Sequence, residues 1–128
     1  MNKEFIPYDQ ALELKELGFE EECLGYWNDV EMPKPYLSIR KLSISDTQGG
    51  YFKLAPLYQQ AFRWFRETYN LEGEVHCIRF NSKRLKGYQY AITSQNYQKF
   101  EQLGNYDTYE EAELACLIKL IEIVKQKL

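Results

Sequence analysis

The sequence is poor in the residues that metal and nucleophilic chemistry draw on. It holds one histidine, His76, and three cysteines, Cys23, Cys77 and Cys116, far apart in a chain of 128 residues. Structural zinc needs four ligands at paired spacings, and none are present, so no metal site is expected. An odd, sparse set of cysteines inside apolar segments excludes a disulfide scaffold and reads as reduced, buried thiols. No run of about 18 apolar residues occurs, which excludes a membrane-spanning helix. The opening stretch Met1-Asn2-Lys3-Glu4-Phe5 lacks the apolar run of a signal peptide, so the cytoplasm is the default compartment. Gly49-Gly50 precedes no strand-to-helix motif, so there is no phosphate-cradling loop and no cofactor is expected.

Hydrophobic residues make up 45% of the chain and aromatics 16%, with eleven tyrosines. That composition excludes disordered and collagen-like chains, and the length suits a single domain spanning residues 1–128. The net charge of −3 hides an uneven distribution. Residues 1–31 carry nine acids against Lys3 and Lys15, residues 32–99 carry eleven Lys and Arg against four acids, and residues 100–128 carry six acids against three lysines. A basic middle between acidic ends suits an anionic partner, or segments that attract each other within one fold; the second reading asks for less.

Periodicity predicts a first helix over residues 9–17, with Asp9 as N-cap and Gly18 as its left-handed terminator. Cys23 to Trp27 reads as a short strand and Asn28-Asp29 as a turn, and Pro33 and Pro35 forbid a helix there. Tyr36 to Ile44 reads as a strand with an irregularity near Lys41, where the apolar positions change face. Residues 45–50 read as loop. Ala55-Pro56 opens a second helix, whose inner stripe is Tyr58, Ala61, Phe62, Phe65 and Tyr69, with Asn70 as its end. Strands follow over Glu74–Phe80 and Tyr88–Thr93, joined by a hairpin loop over 81–87, and a third is expected over Tyr97–Leu103. Thr108 and Glu111 form a capping box for a last helix, with Leu114, Leu117, Ile118, Ile121 and Val124 inward and Leu120 and Ile123 widening the stripe. The order predicts an α+β fold: an antiparallel sheet packed on helices, helix-strand-strand-strand-helix over residues 55–128, with an N-terminal helix and strand as an extension.

Candidate chemistry is thin. A cysteine nucleophile needs a base, and His76 points away from its strand neighbour Cys77. Cys116 sits in an apolar helical stripe as a small hydrophobe. For Cys77, on a strand face with Val75 and Arg79, core packing is preferred over a thiolate activated by Arg79. The carboxylates have the spacing of a solvated surface and a helix start, with no matched acid/base pair. No catalytic residue is assigned, and an enzyme is the weakest class. Positive charge gathers at Arg79, Lys83, Arg84 and Lys86 on one hairpin and at Arg63 and Arg66 on a helix, as phosphate binding requires. The acidic composition weighs against that use. Tyr26, Trp27, Tyr36, Tyr51, Phe52, Trp64 and Tyr106 have no core position assigned by periodicity, and Tyr, Trp and Arg are the residue types that dominate protein interfaces.

Two resemblances add to this. The stretches Ala55-Pro56-Leu57-Tyr58-Gln59-Gln60-Ala61-Phe62-Arg63-Trp64-Phe65-Arg66, Tyr109-Glu110-Glu111-Ala112-Glu113-Leu114-Ala115-Cys116-Leu117 and Ala11-Leu12-Glu13-Leu14-Lys15-Glu16-Leu17-Gly18-Phe19 resemble small uncharacterised proteins of phages and prophages of gut anaerobes. The resemblance covers most of the chain and implies a small intracellular phage or mobile-element protein, with no particular activity. Residues 55–128 are also similar in element order to the double-stranded RNA-binding domain. That family opens its last helix with a serine-lysine-lysine-x-alanine-lysine motif. Here it falls on Thr108 to Glu113, where Ala112 matches but Tyr109, Glu110 and Glu113 replace the lysines. The family's glycine-proline-x-histidine loop is absent from residues 81–87. Carboxylates at those positions repel phosphate. The expectation is therefore a non-enzymatic interaction module with a protein partner and no membrane, its oligomeric state left open. The alternative is nucleic-acid binding through Arg63, Arg66, Lys83, Arg84 and Lys86.

Overall fold

The computed structural model describes residues 2–28, 36–43, 52–80, 84–94 and 99–127. Asp29 of the expected turn, Pro33 and Pro35, Tyr51 and the loop over 45–50 lie outside them. The fold is α+β, as expected, but with two antiparallel three-stranded sheets in place of one. The chain forms two compact units, Met1–Ala61 and Phe62–Leu128.

In the first unit a short 3-10 turn at Asn2–Glu4 leads to helix α1, Tyr8–Glu16. Asp9 is not the N-cap. That position falls to Pro7, extended at φ −64 and ψ 159, and no side chain caps the helix. Proline's fixed φ suits a helix entrance, and Asp9 instead places its charge in the first turn, at the positive end of the helix dipole. Gly18 does end the helix, at φ 102. Around it Phe19 N–H donates to Leu14 O at 3.0 Å and Gly18 N–H to Lys15 O at 3.1 Å, the paired closure of a Schellman motif.

The sheet of this unit has the order β2-β1-β3, with β1 at Cys23–Asn28, β2 at Tyr36–Leu42 and β3 at Phe52–Ala55. Cys23 pairs with Leu42 and Gly25 with Ile39, so β2 takes three steps while β1 takes two. The bulge falls at Arg40-Lys41, where the change of apolar face placed it. Strand β3 was not expected. Its four residues are too few for alternation to show, and Pro56 holds Ala55 extended. The second helix, α2 at Tyr58–Tyr69, therefore starts three residues later than Ala55. One face of this sheet carries the N-terminal segment. Trp27 Nε1 donates to Ile6 O at 3.1 Å, and a Cβ on Gly25 would meet Phe5 Cε1 at 2.7 Å. Phe5, Ile6, Ala11, Leu14, Phe19, Cys23 and Ala55 are buried.

In the second unit β4 at Leu71–Phe80, β5 at Arg84–Ser94 and β6 at Lys99–Tyr106 form a meander, followed by α3 at Tyr109–Lys127. The third strand, expected over 97–103, is present and runs on to Tyr106; residues 97 and 98 lie outside the described residues. Of the loop expected over 81–87, Arg84 to Gly87 belong to β5, and residues 81–83 lie outside the described residues. Ile78 pairs with Gly87 and Arg79 with Leu85, which leaves Lys86 as the extra residue of a bulge beside Gly87 at φ 152. Two cationic residues in an alternation that a bulge interrupts hid the strand from a period-2 reading.

Thr108 caps α3: its Oγ1 accepts the Glu111 N–H at 3.1 Å. Helix α3 lies on β4 and β5 and buries Ala112, Cys116, Leu117, Leu120, Ile121, Ile123 and Val124. Ile118, expected inward, is 44% exposed. The row continuing from Leu117 at i+3, i+4 and i+7 is Leu120, Ile121 and Val124. Ile118 falls in the neighbouring row with Glu111, Ala115, Glu122 and Lys125, and that row faces out. In α2, Phe65 is buried and Arg63 and Arg66 are exposed as the stripe predicted. Trp64, unassigned by periodicity, is buried too, its ring edge-on to Phe65 at 5.1 Å and to Tyr69 at 5.4 Å.

Candidate functional site

Of the five basic residues singled out in the sequence, only Arg63 and Arg66 have described side chains. Arg63 and Arg66 stand one turn apart on the exposed side of α2. Arg66 is already engaged: its Nη1 lies 3.2 Å from Glu72 Oε1 of β4. Arg84 and Lys86 are placed by their backbone in β5, and their side chains, like Lys83, lie outside the description.

The thiols and the histidine do not form a catalytic pair. Cys77 and His76 are neighbours on β4 and point to opposite faces. His76 Nε2 meets Glu74 Oε1 at 3.1 Å on the polar face. Cys77, expected in the core, is exposed. The α3-facing row of β4 runs Leu71, Gly73, Val75, Cys77, and its burial fades toward Cys77, while Cys116 lies over Gly73. Cys23 and Cys116 are buried, and burial pushes each thiol up to about 12. Glu21 reinforces the rise at Cys23; at Cys116 a hydrogen bond with the Glu74 backbone works against it. Neither is a nucleophile at neutral pH. Among the described residues no three His, Cys, Asp or Glu side chains could hold a metal ion, and no helix is long and apolar enough to cross a membrane.

Two features remain that sequence reasoning did not find. The first is a cleft of about 180 Å³ in the second unit, lined by Arg66, Asn70, Glu72, Thr93 and Ser94. Its geometry follows from one tight connection. Asn70 at φ 57 closes α2, its N–H donating to Arg66 O at 3.1 Å, and turns the chain directly into β4. Arg66 in the last helical turn thereby comes over Glu72, and Glu72 pairs with Thr93 in β5. Asn70 as a helix end was the one visible signal. The partnership of Arg66 with a carboxylate six residues on depends on the turn, which periodicity does not encode.

The second is the outer face of the first sheet. Strand alternation sets Leu24 and Tyr26 on one side of β1, and pairing adds Leu54 opposite Tyr26 and Phe52 opposite Asn28. Leu24 is 54% exposed, and Tyr26 and Phe52 are half-buried. The rings of Tyr26 and Phe52 meet edge-on at 5.1 Å, and Arg40 Cζ stands 5.8 Å from the Tyr26 centroid. Edge-on aromatic packing and a cation beside the ring are both favourable contacts. Tyr26 and Phe52 were among the aromatics that periodicity left unassigned. Comparison with known proteins yields no match: no family model, no curated protein and no solved structure is significantly similar to this chain.

Proposed function

We propose that the protein is a small, non-enzymatic interaction module that takes a protein partner on the outer face of its first sheet. The observation carrying this reading is the edge-on pair of Tyr26 and Phe52 with Arg40 at the Tyr26 ring, on the strand face that also holds the exposed Leu24. A tyrosine and an arginine side by side are residue types that dominate interface hot spots. The separation of Cys77 from His76 and the burial of the other two thiols support a role without covalent catalysis. The resemblance to small phage and prophage proteins extends the proposal to an origin in a phage or mobile element and to action in the host cytoplasm.

A second reading, nucleic-acid binding through Arg63, Arg66, Lys83, Arg84 and Lys86, draws on the two exposed arginines of α2. The Glu72 carboxylate at Arg66 works against it, because a phosphate would have to displace that partner. Affinity capture from host lysate, with and without nuclease, separates the two. The unaltered protein is expected to retain a partner protein after nuclease treatment. Leu24→Asp is expected to lose it while keeping its circular dichroism spectrum, and Arg63→Glu/Arg66→Glu to keep it. Capture that disappears with nuclease, or that Leu24→Asp leaves unchanged, overturns the proposal.

A further inference from the structure

We propose that the cleft of Arg66, Asn70, Glu72, Thr93 and Ser94 binds a small zwitterion, an α-amino acid with a short side chain, its carboxylate on Arg66 and its ammonium on Glu72. This goes beyond the interaction-module reading and does not rest on it. The cleft presents two opposite charges side by side, Arg66 Nη1 and Glu72 Oε1 at 3.2 Å, each side chain about half exposed (49% and 51%). An ion pair so open to water contributes little to stability, so parting it costs little. A ligand carrying one charge would gain one partner and strand the other. A zwitterion satisfies both, because its carboxylate and ammonium sit on the same carbon and so match charges that are themselves close together.

The remaining walls are consistent with that ligand. Asn70, Thr93 and Ser94 are neutral hydrogen-bonding residues, suited to orienting polar groups without adding net charge. Ser94 Oγ is itself closed off from water and makes no hydrogen bond among the described residues. At about 180 Å³ the cleft is below the roughly 300–1,000 Å³ of pockets that enclose drug-sized ligands, and its size suits an amino acid.

The test is a titration of the isotope-labelled protein followed by amide resonances, with glycine, sodium acetate and methylammonium chloride as probes at constant ionic strength. Glycine is expected to shift the amides of residues 70–72 and 93–94 saturably, with millimolar affinity. Acetate and methylammonium, each offering half of the ligand, are expected to bind at least tenfold more weakly. Arg66→Gln and Glu72→Gln are each expected to lower glycine affinity at least tenfold with the rest of the spectrum unchanged. Acetate binding as tightly as glycine would make this an anion site, and methylammonium doing so a cation site; either overturns the proposal, as does the absence of saturable shifts with glycine. The three-probe comparison on the unaltered protein decides the matter even where a variant fails to fold.

Discussion

Gly73 of β4 lies directly under Cys116 of α3: a Cβ built on Gly73 would stand 3.0 Å from Cys116 Sγ and 3.1 Å from Leu120 Cδ1. Both helix residues are fully buried, so neither has open space to retreat into. The close approach of helix to sheet is thus set by the absence of a side chain at one position. Gly73→Ala gains roughly 0.4–1 kcal/mol through the unfolded chain. It loses about 1–3 kcal/mol to overpacking, so the expected net effect is destabilisation of about 1 kcal/mol, and more for Gly73→Val. Denaturant melts check this. A double variant Gly73→Ala/Cys116→Ala is expected to be less destabilised than the two single losses added together, since the new methyl occupies space the thiol gives up.

The three thiols should behave as two classes. Cys77 is exposed, and Cys23 and Cys116 are buried. A thiol-specific disulfide reagent is expected to titrate one group in the folded protein and three after denaturation. More than one fast-reacting group in the folded state would contradict the burial of Cys23 and Cys116.

The same burial makes stability fall at alkaline pH. Both buried thiols are raised from 9.0 to about 12, so between these values the unfolded chain has released protons that the folded one retains. The stabilisation is therefore fully present below about pH 9 and declines as pH rises toward about 12, by up to ~1.4 kcal/mol per pH unit per thiol. Tyr90, raised to about 12 chiefly by burial, adds to the decline above its ordinary value of 10.0. Cys116→Ala is expected to flatten the slope between pH 9 and 10, whatever it costs in stability at neutral pH. An unchanged slope in unfolding free energy measured across that interval would contradict the assignment.

What could be read in the sequence was what periodicity and end signals encode locally. Helix α3 was legible from Thr108, whose hydroxyl does cap it, and from the row Leu117, Leu120, Ile121 and Val124. The bulge at Arg40-Lys41 was legible because apolar residues change face there. Ile118 was misplaced because an aliphatic residue adjoining a buried row is indistinguishable from a member of it by type alone. Strand β3 and the start of β5 were missed for want of enough uninterrupted alternation. Neither candidate surface was legible as a unit. Tyr26 and Phe52 come together through strand pairing, and Arg66 and Glu72 through a turn, and both are decided by tertiary structure.

Asn70 joins α2 to β4 in a left-handed conformation, φ 57, and does so without glycine. Left-handed backbone costs an ordinary residue about 1–2 kcal/mol, less for asparagine, and most for a β-branched side chain. Asn70→Gly is expected to leave stability within about 0.5 kcal/mol, because eased backbone strain offsets the freer unfolded chain. Asn70→Val is expected to cost about 2 kcal/mol. Because this residue sets the path from Arg66 to Glu72, the valine variant should also part that pair, whereas the glycine variant should preserve it. Crystal structures of the two variants check the geometry and thermal melts the stability. A valine variant as stable as the parent would show that Asn70 is free to leave the left-handed region, and that the turn does not hold the cleft together.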